Sequence, residues 1–81
     1  MNRFNLRLVA RNTPGSLERI LNTSRVRGFN INDFKAALDS QHNYAIEMAV
    51  SGERNIEQLI LQLTKQFDIR ELEHRRCRDA S

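Results

Sequence analysis

The stretch FNINDFKAALDSQHNYAIEMAV, residues 29–50, shifts the parity of its apolar positions partway along. Phe29 and Ile31 fall on odd numbers, whereas Phe34, Ala36 and Leu38 fall on even ones. A period of two is the signature of a half-buried strand, and a change of phase inside it requires one extra residue. The spacing therefore predicts an extended lead-in at 29–32, a bulge near Asn32-Asp33 and a strand over 33–38. The run Asp39-Ser40-Gln41-His42-Asn43 is polar throughout and reads as a hairpin loop. Tyr44, Ile46, Met48 and Val50 then alternate without interruption, so a further strand spans 43–50.

On the N-terminal side, Phe4, Leu6, Leu8 and Ala10 share one parity and predict a strand over 4–10. Asn12-Thr13-Pro14-Gly15-Ser16 follows as a turn that doubles as a helix start. Thr13 is the expected N-cap and Pro14 the first helical residue, where its missing N–H has no partner to lose. Leu17, Ile20, Leu21 and Ser24 recur at helical spacing, predicting a helix over 14–27, and Gly28 suits a left-handed C-terminal cap. On the C-terminal side, Ser51-Gly52 is expected to end the strand, with Ser51 capping the next helix. Ile56, Leu59, Ile60, Leu63 and Phe67 form an apolar stripe over 53–67. A last strand over 69–75 turns Ile69 and Leu72 inward.

The element order is β-α-β-β-α-β, an α+β ferredoxin-like fold comprising one domain, 1–81. Right-handed crossovers place both helices on one face of a four-stranded antiparallel sheet. The other face carries Val9, Ala37, Ala45 and Ala49 amid Arg7, Lys35 and Glu47, a surface suited either to another sheet or to water.

At 81 residues, a chain buries only about 60% of its unfolded surface, so a lone monomer is marginal. A single cysteine, Cys77, permits no internal disulfide, and His42, His74 and Cys77 lack zinc spacing. Association with another chain is the remaining common source of stability. The net charge is +3, and eleven of the thirteen basic residues are Arg. Arg75-Arg76-Cys77-Arg78 is the one dense cluster, either a solvated terminus or a contact for an acidic patch on a partner. The N-terminal residues resemble no signal peptide and no apolar run approaches the ~20 residues that span a bilayer. A cytoplasmic protein with no membrane partner is expected.

No catalytic constellation emerges. Cys77 and His74 are three apart in a strand, hence on opposite faces. Acidic residues are scattered singly, and neither a phosphate-binding loop nor a dinucleotide fingerprint is present. The loop Asn12-Thr13-Pro14-Gly15 stands out instead. A helix N-terminus offers free N–H groups to a carboxylate, Gly15 admits a ligand close to the backbone, and Asn12 can donate or accept. Asn30, opening the second strand, could supply a similar amide. These groups suit a zwitterion such as a free amino acid; equally, Pro14-Gly15 can serve only as a tight helix start.

The run Leu8-Val9-Ala10-Arg11-Asn12-Thr13-Pro14-Gly15-Ser16-Leu17-Glu18-Arg19-Ile20 resembles the opening of ACT domains, N-x-(P/S)-G-x-L-x-R-(I/V). Arg27-Gly28-Phe29-Asn30-Ile31 is similar to the R-G-(Y/F)-N-I of the small regulatory subunits of acetolactate synthase (acetohydroxyacid synthase). Gln62-Leu63-Thr64-Lys65-Gln66-Phe67-Asp68-Ile69 is similar to their Q-L-x-K-L-x-D-V. The order and spacing match along essentially the whole chain, and its length resembles the short, isozyme II type. The resemblance implies a non-catalytic subunit that binds and activates a catalytic subunit carrying thiamine diphosphate, Mg and FAD, in valine and isoleucine synthesis. It implies a homodimer through ACT modules, with an effector such as valine between two modules at Asn12, Pro14, Gly15 and Asn30. A free-standing amino-acid-sensing ACT protein is the alternative. An RNA-binding βαββαβ module would account for the arginines, but the third strand lacks the Gly-Phe/Tyr signature for base stacking and Glu47 would repel phosphate, so no nucleic-acid partner is expected.

Overall fold

A computed structural model describes residues 2–77. The elements are β1 (Asn2–Arg11), α1 (Ser16–Val26), β2 (Asn30–Leu38), β3 (Asn43–Gly52), α2 (Ile56–Thr64) and β4 (Ile69–Cys77). The strands form one antiparallel sheet in the order β2-β3-β1-β4. This is the expected ferredoxin-like arrangement. The two most apolar alternating strands, β1 and β3, occupy its centre.

Phe4, Leu6, Leu8 and Ala10 of β1 are buried together with Ile46, Met48 and Val50 of β3. Ile20 of α1 and Leu59 and Leu63 of α2 close over them without any exposed surface. Phe4 meets Phe29 edge to face, ring centroids 6.3 Å apart, a favoured aromatic geometry. Ile69 and Leu72 of β4 both pack against this core although they differ in parity, because the ladder to β1 shifts register between Val9 and Ala10. The small residues of α1 are accommodated by hydrogen bonds rather than bulk. Ser24 is fully buried and its hydroxyl donates to the Ile20 carbonyl at 2.9 Å. Thr23 Oγ1 accepts from Gln66 Nε2 at 2.6 Å, tying α1 to the end of α2.

The phase shift in β2 is a bulge: the ladder to β3 slips between Ile31 and Asp33, leaving Asn32 unpaired. The strand nevertheless continues through it, so β2 begins at Asn30 rather than residue 33. The 39–43 hairpin is held by the Asp39 carboxylate, which accepts from the N–H groups of Gln41 and Asn43 at 2.8 and 3.0 Å.

Several boundaries differ from the sequence expectation. Helix α1 starts at Ser16, two residues late, because Pro14 belongs to the preceding turn and Gly15, at φ 79°, is the capping residue. Gly28, at φ 87°, does follow the helix in the left-handed conformation. Ser51-Gly52 does not break β3. Ser51 pairs with both Arg3 and Asn30, and Gly52 pairs with Asn2. A Cβ on Gly52 would lie 3.0 Å from the Gly28 carbonyl and the Phe29 ring, so this glycine serves close packing. Helix α2 is accordingly shorter than 53–67, and its cap is Asn55, whose Oδ1 accepts from the Glu57 N–H at 2.9 Å. Because α2 ends at Thr64, Phe67 leaves the apolar stripe and is 81% exposed.

Candidate functional site

The 12–15 loop is shaped from both sides. The Thr13 N–H returns to the Arg11 carbonyl at 3.0 Å and the Ser16 N–H to the Thr13 carbonyl at 3.1 Å. Gly15 supplies the positive φ that turns the chain into α1; its Cβ position faces Arg19 Nη1 at 3.2 Å. No side chain caps the helix. The first-turn N–H groups of Leu17 and Glu18, which have no partner within a helix by construction, remain available to a ligand.

Thr13, expected as the cap, does other work. Its hydroxyl donates to Asp68 Oδ1 at 2.7 Å. Arg19 pairs with the other Asp68 oxygen, and Arg19 Nη1 also reaches the Pro14 carbonyl at 3.4 Å. The Asp68 carbonyl accepts the Arg11 N–H at 2.7 Å, and the Arg11 guanidinium lies over the Phe67 ring at 5.1 Å. The loop is thus clamped to the connection between α2 and β4. Thr13's hydrogen bond and then Arg19's hold the buried Asp68 carboxyl below its ordinary value, aided by the charges of Arg19 and Arg11 and opposed by burial. Thr13 and Asp68 are 55 positions apart. In the sequence Asp68 stood out only within the run Gln62–Ile69 that resembles the family, and no local pattern announces its partner.

An open cleft of about 340 Å³ lies in front of this loop, lined by Asn12 to Glu18 and by Tyr44. Ser16 sits at its base, 2% exposed, with a hydroxyl oxygen that has no hydrogen-bond partner. A buried polar atom left unpaired is costly, so such an atom in a cleft marks a place where a polar ligand is rewarded. Asn12, Pro14 and Gly15 therefore come together. Asn30 does not join them. It pairs with Ser51, which pairs with Arg3, whereas the loop follows Arg11 at the other end of β1. Eight residues of strand separate the two ends, roughly 27 Å. Asn30 can complete this cleft only from a second copy of the chain.

The arrangement can bind but offers no paired nucleophile and base. Among the described residues, no group of three His, Cys, Asp or Glu could hold a metal ion, and no helix is long and apolar enough to cross a membrane. The outward positions of β1 and β3 carry no aromatic residue, and Tyr44 packs against the core. The Arg75–Arg78 cluster lies partly outside the described residues.

Comparison with known proteins places these features in a family. The ACT-domain pattern matches residues 12–72. The chain is 40% identical over 62 residues to the acetolactate synthase isozyme 2 small subunit of Escherichia coli (strain K12), covering 74% of this chain and 70% of that protein. Among solved structures, a putative glycine cleavage system transcriptional repressor superposes with a TM-score of 0.81 at 20% identity, over 99% of this chain and 49% of that one. The ACT domain of GTP pyrophosphokinase from Chlorobium tepidum does so with a TM-score of 0.76 at 13% identity, over 91% of this chain and 99% of that one. At those identities the structures speak to the fold alone.

Proposed function

The chain belongs to the ACT-domain family, and from that premise we propose that it is a regulatory small subunit that binds and activates an acetolactate synthase catalytic chain in branched-chain amino acid synthesis. The observation that carries the reading is the 40% identity to an acetolactate synthase small subunit over most of both chains. The subunit contributes no reacting group. Thiamine diphosphate, Mg and FAD belong to the catalytic partner, and the complex works in the cytoplasm.

The 12–15 cleft is the effector site in this reading. An amino acid such as valine would lay its carboxylate on the first-turn N–H groups, with its ammonium on the Asn12 amide oxygen and the unpaired Ser16 hydroxyl. Pro14 and Gly15 shape the loop, and Asn30 approaches from a second copy. The Asp68 clamp supports this by holding the loop open before a ligand arrives, which lowers the ordering cost of binding.

Purified chain alone should show no acetolactate synthase turnover, and adding it to the catalytic subunit should raise the rate. If neither the rate nor cofactor affinity changes, the activating role is wrong. Gly15→Asp should abolish the valine response, because a side chain blocks the cleft and a carboxylate repels the ligand. An unchanged valine titration would reduce the loop to a tight helix start. Co-purification of the chain with a different enzyme or a transcription factor would instead favour a free-standing sensor.

A further inference from the structure

Two charged side chains stand beside Gly15, and only one of them is engaged. Arg19 Nη1 lies 3.2 Å from the position a Cβ would take on Gly15, but its guanidinium already serves the Asp68 carboxylate and the Pro14 carbonyl. Glu18 Oε2 lies 4.0 Å from the same position. Its carboxylate lines the cleft and makes no hydrogen bond or ion pair among the described residues. Glu18 is the third residue of α1, where a glutamate commonly reaches back to the N–H of the capping residue. It does not do so here, and its charge is left facing the cleft. Ser16, 2% exposed, adds a hydroxyl without a partner. The cleft therefore combines opposite characters: free first-turn N–H groups at the positive end of the α1 dipole, and one unpaired carboxylate.

We propose that Glu18 is the specificity-determining residue of this cleft and makes it select ligands that carry a free α-ammonium over the matching α-keto acids. The proposal rests on the reading of the cleft as an effector site and adds what that site discriminates. An amino acid and the α-keto acid of the same carbon skeleton share their side chain and their carboxylate. Neither an apolar contact nor a helix N-terminus can tell them apart. They differ in one group: the ammonium is a charged donor, whereas the keto oxygen only accepts. The Ser16 hydroxyl and the Asn12 amide can each donate or accept, so they can serve either ligand. Glu18 cannot. Its carboxylate attracts an ammonium, but set against a keto oxygen it loses water and gains no hydrogen bond. Ser16 and Asn12 thus contribute affinity, and the discrimination falls to Glu18. Because Glu18 is exposed in the free chain, its attraction is moderate and screened by salt.

Calorimetric titration of the full chain with valine and with the α-keto acid of the same carbon skeleton reads this selectivity directly. The wild type should prefer valine by about tenfold or more, and added salt should narrow the preference. Glu18→Gln keeps the size of the side chain and removes its charge. It should bind valine about tenfold more weakly and the α-keto acid no more weakly, so that the preference collapses. The variant also loses a favourable first-turn charge, so circular dichroism and a melting curve check that its fold is kept. Equal weakening of both ligands is what a purely structural role would give, and it overturns the proposal. So does a preference that Glu18→Gln retains in full. Gly15→Asp separates this inference from the reading beneath it. If that variant binds valine as the wild type does, the cleft is not the effector site and both fall. If it fails to bind while Glu18→Gln keeps the wild-type preference, the cleft stands and only the role of Glu18 is wrong.

Discussion

Asp68 shows how one buried carboxylate can hold a binding loop in place. It is 5% exposed and satisfied by Thr13 and Arg19, residues from the loop and from the helix that the loop begins. Asp68→Asn keeps the shape but removes the charge, and should cost about 1.5–3 kcal/mol at neutral pH, the range for hydrogen bonds to charged groups. The pH dependence follows from the direction of its shift. A carboxyl held below its ordinary value of 3.8 contributes fully above that value and loses the contribution as pH falls through the folded pKa. Urea titrations should show the wild type losing stability below about pH 4, with Asp68→Asn lacking that component. An equal acid loss in both proteins would assign it to other carboxylates. None of this was legible in the sequence, because Thr13 and Asp68 meet only when the sheet is assembled.

At the scale of elements, the α2 stripe was legible and its end was not. Spacing alone makes Leu59, Leu63 and Phe67 equivalent. The structure buries the first two completely and leaves Phe67 81% exposed, because α2 stops at Thr64. Leu63→Ala should cost 2–5 kcal/mol of stability, the usual range for a large-to-small change in a core. Phe67→Ala should cost no more than about 1 kcal/mol, chiefly the contact with Arg11. Chemical denaturation of the two variants decides between them, and comparable losses would place Phe67 in the core after all. The bulge in β2 was legible because a shift of parity has one simple geometric cause. Continuation of β3 through Ser51-Gly52 was not, since a Ser-Gly pair ordinarily signals a break. What overrides it is the space beside Phe29 and Gly28, which only a residue without a side chain fits.

The whole molecule exposes Val26, Leu38, Leu61 and Phe67, and its core is supplied by few elements. A chain of 81 residues gains stability when association accompanies folding, so its melting temperature should rise with protein concentration. A melting temperature constant over a hundredfold range of concentration would mean that the isolated monomer is sufficient. The order of the elements, the parity of each strand and the two faces of the sheet were determined by the sequence itself, because they depend on local periodicity of two and 3.6 residues. The turn residues between the first strand and helix also identified Asn12, Pro14 and Gly15 as one loop. Tertiary structure alone decided that Asn30 stands at the far end of the sheet from that loop and that Asp68 clamps it. It also decided that charges of four separate strands fall into rows across the sheet. Each of these depends on register between segments distant in sequence, and register is set when strands pair, not by the residues of any one strand.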